Sequence, residues 1–153
     1  MNKEDFLQAQ VEQVLLKMDF ISQYKSISSS YKERDESFVF ENDKIIEIAS
    51  HIGYRIKYSK AKEFHLQEES SGFVFKFGFT IRFNSFDFGI SITNEDKGIQ
   101  TSAPWGFLVQ LISDGREKVS KVAFKNYADI EGILRQAFKI YEDIKKGLLA
   151  SPA

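Results

Sequence analysis

The chain of 153 residues contains no cysteine, two prolines, one tryptophan and two histidines. The absence of cysteine excludes disulfides, zinc–thiolate sites and a cysteine nucleophile. With 21 basic and 22 acidic residues, the chain has no overall charge that would attract nucleic acid or anionic lipid. Its apolar runs all fall short of the roughly 18 residues that a membrane-spanning helix requires. These absences argue against nucleic acid and membranes as partners.

The amino terminus and the length bear on location and on domain number. Residues 1–10 are polar and lack the apolar core of an export signal, so a cytoplasmic location is expected. Hydrophobic residues make up 42% of the chain, which is typical of a globular protein and not of a disordered one. We predict a single domain over residues 1–150, followed by a frayed carboxyl-terminal tail at 151–153.

Phenylalanine is abundant, with 15 residues in the chain, and many of them stand at every second position of one stretch. The apolar positions of this stretch are Phe73, Phe75, Phe77, Phe79, Ile81, Phe83, Phe86, Phe88, Ile90 and Ile92. A period of two places successive side chains on opposite faces of a strand. The pattern therefore predicts two antiparallel strands with one buried aromatic face and one polar outer face.

A two-residue turn at Asn84 and Ser85 would join these strands and fix their register. The apolar partners would then be Phe83 with Phe86, Ile81 with Phe88, and Phe79 with Ile90. The same register places Arg82 opposite Asp87 on the outer face, where such a charge pair contributes about 0.2–1 kcal/mol. The apolar pairs on one face and the charge pair on the other thus favour the same hairpin.

A third strand precedes these two. A connection over residues 68–71 would pair Leu66 with Phe73 and Phe64 with Phe75, and it would place Glu63 opposite Lys76. Lys62 would then oppose Phe77 on the buried face, which an ammonium group does not tolerate, so we expect the strand to end or to bulge near residues 60–62. The sequence predicts a three-stranded antiparallel meander over residues 63–93.

Helices are predicted on both sides of the meander. Apolar residues at spacings of three and four indicate an amphipathic helix over residues 3–24, followed by a polar loop at 26–36. A second helix begins at Asn42 or Asp43 and ends before Gly53, a residue that suits a left-handed helix cap.

The carboxyl-terminal third is less uniform. Residues 107–112 fit a helix or a strand, with the helix favoured, and residues 119–124 fit a weak strand. Asn126 and Asp129 open a last helix whose apolar stripe continues to Leu148. We predict an α+β fold, an antiparallel meander sheet of four or five strands whose phenylalanine-rich face is covered by the first and last helices.

Residues of the types used in catalysis are present, but their positions favour other roles. His51 and His65 lack the spacing of a metal-binding pair, so we expect neither a metal site nor a cofactor. The paired carboxylates Glu68 with Glu69, and Glu95 with Asp96, fall in predicted turns, where acidic residues serve solubility. No catalytic motif is present, and we predict that the chain is not an enzyme.

Residues 72–76 resemble the aromatic strand of RNA recognition motifs, in which exposed rings stack on bases. The chain departs from that pattern because Ser71 replaces the basic residue and Gly78 stands where the last aromatic belongs. We therefore expect the rings to be buried. On the outer face, Gly78 and Gly89 fall near each other and predict a patch almost without side chains. A helix of the same chain, a ligand or a partner would approach closely there, or the patch is simply an exposed flat surface of small residues.

The segment 101–106 contains Pro104 and the single tryptophan, Trp105, and it follows the acidic turn at Glu95 and Asp96. Large aromatic residues in surface connections often anchor a partner, so these four residues are the candidate partner-binding site. The alternative is that Trp105 closes one end of the core, and the sequence favours this alternative slightly.

Size and the missing catalytic motifs favour a small non-catalytic cytoplasmic protein that binds another protein. Bacterial toxin-neutralising immunity proteins are one class of this kind. The alternative is a module that binds a small molecule in a pocket between the helices and the sheet.

Overall fold

The structure, a computed structural model, describes residues 2–150, so the predicted tail at 151–153 lies outside the described residues. An antiparallel sheet has the strand order β1-β2-β3-β4-β5, and β6 also pairs with β4. The strands are β1 (Lys57–Tyr58), β2 (Phe64–Ser70), β3 (Phe73–Arg82), β4 (Ser85–Asn94), β5 (Ile99–Pro104) and β6 (Val122–Ala123). The predicted meander is confirmed as β2, β3 and β4.

Within residues 2–150, five α-helices complete the α+β fold that the sequence predicts. They are α1 (Ala9–Lys17), α2 (Phe20–Ser30), α3 (Asn42–Ile52), α4 (Trp105–Ser113) and α5 (Tyr127–Ala150). Rings from three of these helices meet Phe77 or Phe88 of the sheet: Tyr24 of α2, Trp105 of α4, and Phe138 and Tyr141 of α5. The phenylalanine face is therefore the buried face, as predicted.

The turn between β3 and β4 lies one residue earlier than predicted. Phe83 and Asn84 form it, with φ angles of 52° and 55°, which suit a tight hairpin turn that needs positive φ at both central positions. Arg82 therefore faces Ser85, and Thr80 faces Asp87. The predicted pairing of Arg82 with Asp87 is wrong.

The change of turn moves the register by two residues, so every side chain keeps its predicted face. The apolar partners are Ile81 with Phe86, Phe79 with Phe88, and Phe77 with Ile90. Phe83 is the exception, because it leaves the strand for the turn. On the outer face, Asp87 is instead paired with Lys121, at 3.9 Å between Nζ and Oδ2.

The connection between β2 and β3 is also shorter than predicted. Ser71 and Gly72 form a two-residue turn with φ angles of 51° and 83°, so Ser70 faces Phe73, and Glu68 and Glu69 lie in the strand. The register moves by four residues, which again preserves the faces. The apolar partners are Leu66 with Phe77 and Phe64 with Phe79.

The amino-terminal boundary of β2 agrees with the boundary that the sequence predicts for the first strand of the meander. Lys62 has a φ of 62°, which belongs to a turn, and β2 begins after it at Phe64. The predicted pairing of Glu63 with Lys76 is wrong as a cross-strand register, since Lys76 faces Gln67. The charges still meet, at 3.4 Å between Lys76 Nζ and Glu63 Oε1.

The helix predicted over residues 3–24 is a 3-10 turn at Lys3–Asp5 followed by the two helices α1 and α2. Asp19 adopts a left-handed conformation with φ 55°, a conformation that Asp tolerates better than most residues, and the chain changes direction there. The predicted loop at 26–36 is helical as far as Ser30. Its serines fit because Ser28 and Ser29 donate to the main-chain oxygens three residues before them.

The remaining helix boundaries agree well with the sequence. Helix α3 ends at Gly53, whose φ is 117°, and residues 107–112 lie within helix α4. Helix α5 begins after Asn126, whose Oδ1 accepts from the Asp129 amide at 2.8 Å. The weak strand predicted at 119–124 is the two-residue β6.

Candidate functional site

The hairpin turn between β3 and β4 presents a large apolar side chain to solvent. Phe83 is 77% exposed, although the other phenylalanines of β3 and β4 are buried. Its left-handed backbone costs a residue with a Cβ roughly 1–2 kcal/mol relative to the right-handed region, and a bulky ring does not relieve that cost. Asn or Gly would suit this turn position better.

Neighbouring groups fix the turn against the loop that follows α2. The side-chain amide of Asn84 donates to the main-chain oxygens of Asp35 at 2.8 Å and of Phe38 at 2.9 Å. Arg34 donates through Nη1 to the main-chain oxygen of Phe83 at 3.1 Å. The conformation that exposes the ring is therefore held by specific hydrogen bonds.

The same loop contributes a second exposed apolar residue. Val39 follows Phe38 and is 82% exposed, and it and Phe83 are the most exposed large apolar residues in the described part of the chain. Arg34 lies beside Phe83 and forms an ion pair with Glu36 at 3.2 Å. We call Arg34, Glu36, Val39 and Phe83 the tip patch.

Trp105 lies in the core and not on the surface. Its side chain is 0% exposed, and its ring lies within 5.6 Å of those of Phe20, Tyr24, Phe77 and Phe88, measured between centroids. A fully buried indole presents no surface to a partner, so the position of Trp105 gives no support to the predicted anchor role. The alternative, that Trp105 closes one end of the core, describes its position.

The other residues of the predicted partner site are not brought together. Glu95 and Asp96 lie in a short 3-10 turn before β5, whereas Pro104 is the last residue of β5. A strand rises about 3.3 Å per residue, so the six residues of β5 separate the two ends by about 17 Å. Glu95 and Asp96 are exposed, but no apolar group accompanies them in the turn.

Gly78 and Gly89 face each other across β3 and β4, as the predicted patch requires. They form part of the floor of an open groove of 340 Å³ on the outer face, with Glu63, Lys76 and Asp87 among the residues of its walls. A Cβ at Gly78 would lie 3.0 Å from the Glu63 carboxylate, so this side chain of the same chain makes the close approach. At Gly89 the nearest atom would be 3.6 Å away, which leaves room for a side chain.

A polar cluster joins β2 to α5 at the other end of the sheet. Tyr141 donates to Glu68 Oε1 at 2.6 Å, and Lys145 donates to the same oxygen at 2.7 Å. Lys145 also contacts Glu142 at 3.0 Å, and Tyr54 donates to Glu142 at 3.0 Å. These bonds tie the last helix to the edge of the sheet.

The cluster shifts the ionisation of its members. Burial opposes the charge on Glu68, but the hydrogen bonds from Lys145 and Tyr141 outweigh it and hold the pKa of the carboxyl below its usual value. Burial and the bond to Glu68 raise the pKa of Tyr141. Burial and the bond to Glu142 raise the pKa of Tyr54. The tyrosines are thus kept as neutral donors and the carboxylate as a charged acceptor, an arrangement that stabilises the fold.

The described residues contain no group of three or more His, Cys, Asp or Glu side chains placed to hold a metal ion. His51 is exposed at the end of α3, and His65 lies on the outer face of β2, opposite Gly78. Within residues 2–150, no helix is long and apolar enough to cross a bilayer. Comparison with family models, with curated proteins and with solved structures finds no match.

Sequence reasoning missed the tip patch because the alternation of apolar residues includes Phe83 and assigns it to the core. The available signal was Asn84, which is compatible with either position of a tight turn. Val39 lies in an irregular segment of mixed polarity, where the sequence carries no periodic signal at all.

Proposed function

We propose that the chain is a non-catalytic protein that binds another protein, with the tip patch as its contact surface. The observation that carries the proposal is Phe83, a large ring that is 77% exposed in a backbone conformation that disfavours it. Isolated exposed apolar residues are common on protein surfaces. An exposed apolar residue that also has an unfavourable backbone conformation is uncommon. Residues with such backbone conformations concentrate at functional positions.

The surroundings of Phe83 suit an anchor for a partner. The bonds from Asn84 and Arg34 fix the main chain before any contact is made, which lowers the entropy lost on binding. Val39, in the loop bonded to the turn through Asn84, adds a second exposed apolar side chain, and the charges of Arg34 and Glu36 provide a polar rim. The complementary surface on the partner is an apolar pocket that accepts a phenyl ring.

Toxin-neutralising immunity proteins are one class of small non-catalytic binding proteins, and a cytoplasmic location fits that class. We propose to test this class first because the chain is small and its sequence contains no catalytic motif. Among the described residues, the space next to Phe77 gives no support to the alternative of a small-molecule pocket between helices and sheet. Rings of Trp105, Phe138 and Tyr141 fill the space next to Phe77.

The test compares the parent chain with Phe83→Asn as baits in the lysate of the native host. Asn suits the left-handed turn position, so this variant removes the ring without disturbing the hairpin. Ser71→Asn is the matched control, because Ser71 holds the same position in the other two-residue turn. Proteins captured by the parent and the control, but not by Phe83→Asn, are identified by mass spectrometry.

The identified partner is then purified and titrated calorimetrically. We expect Phe83→Asn to weaken binding by about 30-fold, the equivalent of the roughly 2 kcal/mol of a hot-spot residue, and Ser71→Asn to leave binding unchanged. Inhibition of the partner's toxic activity by the chain would establish the immunity class. Equal affinity of the parent and a folded Phe83→Asn variant would show that the tip patch is not the contact surface.

A further inference from the structure

The two edges of the sheet differ in how their backbone groups are satisfied. In an antiparallel pair, residues alternate between those bonded to the neighbouring strand and those that point away from it. On β5, the outward residues are Gln100, Ser102 and Pro104. The Gln100 amide donates to Gln8 Oε1 at 2.9 Å, and Pro104 has no N–H to offer. Within residues 2–150 the Gln100 oxygen and the amide and oxygen of Ser102 stay unpaired, so this edge is closed at its two ends and open at Ser102.

The edge at β2 is open over half its length. Strand β1 covers only Phe64 and His65. The Ser59 amide donates to the Glu63 oxygen at 2.9 Å, so Glu63 points outward, and so does every second residue after it. The bonded pair of Ser70 with Phe73 at the tight turn gives the same alternation from the other end. Both lines of reasoning place the backbone groups of Gln67 and Glu69 on the outward side.

These outward groups have no partner within residues 2–150. In this part of the chain, no backbone or side-chain group outside the β2–β3 pairing accepts from the amides of Gln67 and Glu69 or donates to their oxygens. Residues 67–70 are all exposed. Two amides and two carbonyl oxygens are therefore available in the arrangement that an added strand uses.

The charge on this edge determines what can pair with it. Glu69 forms no ion pair within residues 2–150, and Glu68, although bound to Lys145, remains partly exposed. A second copy of the chain pairing antiparallel through these groups can be centred on Glu68 or Glu69, which places like charges opposite each other. A register centred on Gln67 would overlap β1, which already covers His65. Like charges directly opposite are destabilising, so the edge disfavours self-association and is complementary to a basic strand.

We propose that residues 67–70 bind an extended segment of another protein, which joins the sheet as an added strand beside β2 and carries Lys or Arg opposite Glu69. The backbone groups of Gln67 and Glu69 supply the hydrogen bonds, and the Glu69 carboxylate selects the basic side chain. This surface is separate from the tip patch, because the two lie at opposite ends of the ten-residue strand β3, about 30 Å apart.

The test is a titration of the full chain, labelled with nitrogen-15, with a nine-residue peptide of alternating threonine and lysine. The proposal expects amide shifts centred on Gln67 and Glu69, with weaker binding as salt is added. Two peptides serve as controls: one with threonine and glutamate in alternation, and one with the lysine sequence and N-methylated backbone amides. Both should bind at least tenfold more weakly than the first peptide.

The variant Glu69→Lys reverses the selecting charge on an exposed strand position without touching the core. It should bind the lysine peptide about fivefold to tenfold more weakly, as expected for replacing a favourable cross-strand charge pair by an unfavourable one, and should prefer the glutamate peptide. Phe83→Asn should bind the lysine peptide as the parent does, which separates this surface from the proposed function. Shifts that fall elsewhere, equal binding of the N-methylated peptide, or no shift at millimolar peptide would overturn the proposal.

Discussion

Replacing Phe79 by alanine should destabilise the protein severely, whereas the same replacement at Phe83 should not. Phe79 is 1% exposed, and its ring lies 5.1 Å from that of Phe64 and 5.3 Å from that of Phe86, between centroids. Burial of a phenylalanine side chain contributes about 1.5–3 kcal/mol. The cavity left by alanine adds to this loss, so Phe→Ala substitutions in cores cost about 3–5 kcal/mol.

That loss is a large part of the roughly 5–15 kcal/mol that stabilises a typical domain. It should lower the melting temperature by about 6–20 °C in a protein of this size. Urea unfolding measured by tryptophan fluorescence suits the experiment, because Trp105 is the single tryptophan and is fully buried. The two variants should have similar slopes against urea and different midpoints.

Phe83→Ala is the matched control, since it removes the same atoms from a residue four positions further along the chain. Its ring is 77% exposed, so the expected loss in the free energy of unfolding is below about 1 kcal/mol. A loss below about 1 kcal/mol for Phe79→Ala would refute its place in the core. Equal losses for the two variants would refute the register that separates them.

Further changes test the other contacts. Trp105→Ala should cost about 3–5 kcal/mol in urea unfolding, followed by circular dichroism because this variant lacks the tryptophan signal. A normal melting temperature would contradict the buried position. Gly147→Ala would place a Cβ 2.5 Å from Val14 Cγ1, so it should lower the free energy of unfolding by about 1–3 kcal/mol. The double variant with Val14→Ala should lose less than the sum of the two single variants. Simple additivity of the losses would argue against the contact. The lowered pKa of Glu68 means that its ionised form contributes stability above about pH 4.5 and that this is lost as the pH falls further. Glu68→Gln should therefore flatten the acid limb of a stability–pH curve, and an unchanged limb would show that the cluster does not stabilise the fold. Micromolar, salt-sensitive binding of single-stranded RNA in a filter assay would contradict the predicted absence of nucleic-acid binding.

The architecture could be predicted because two periodic signals repeat many times along the chain. The period of two in β3 and β4 identifies the buried face from ten apolar positions, and an error at one of them does not change the result. The stripe of α5 is equally redundant, and Asn126 marks its start. Prediction failed where one residue decides the outcome, as at Asp19, where a left-handed conformation divides a continuous stripe into two helices.

The candidate site was less accessible to sequence reasoning than the fold, for a related reason. The sequence indicates Trp105 and Pro104 as partner-binding residues because large aromatics in connections often bind partners. The connection is short, however, and α4 begins at Trp105 itself. The helix turns the indole towards Phe77 and Phe88. Which side of a short connection faces the core depends on tertiary packing, and a single sequence does not encode it locally.

The position of Phe83 shows how a small change in a turn creates an exposed apolar surface. A two-residue turn at Asn84 and Ser85 would have placed the ring opposite Phe86 in the core, whereas the turn at Phe83 and Asn84 places it at the tip. Both registers keep the same faces, so hydrophobic burial elsewhere in the hairpin does not choose between them. The hydrogen bonds from Asn84 to the oxygens of Asp35 and Phe38 are available in the observed turn and favour it. The loop after α2 thus stabilises a conformation that exposes the ring on a rigid hairpin, the property that a preorganised anchor requires.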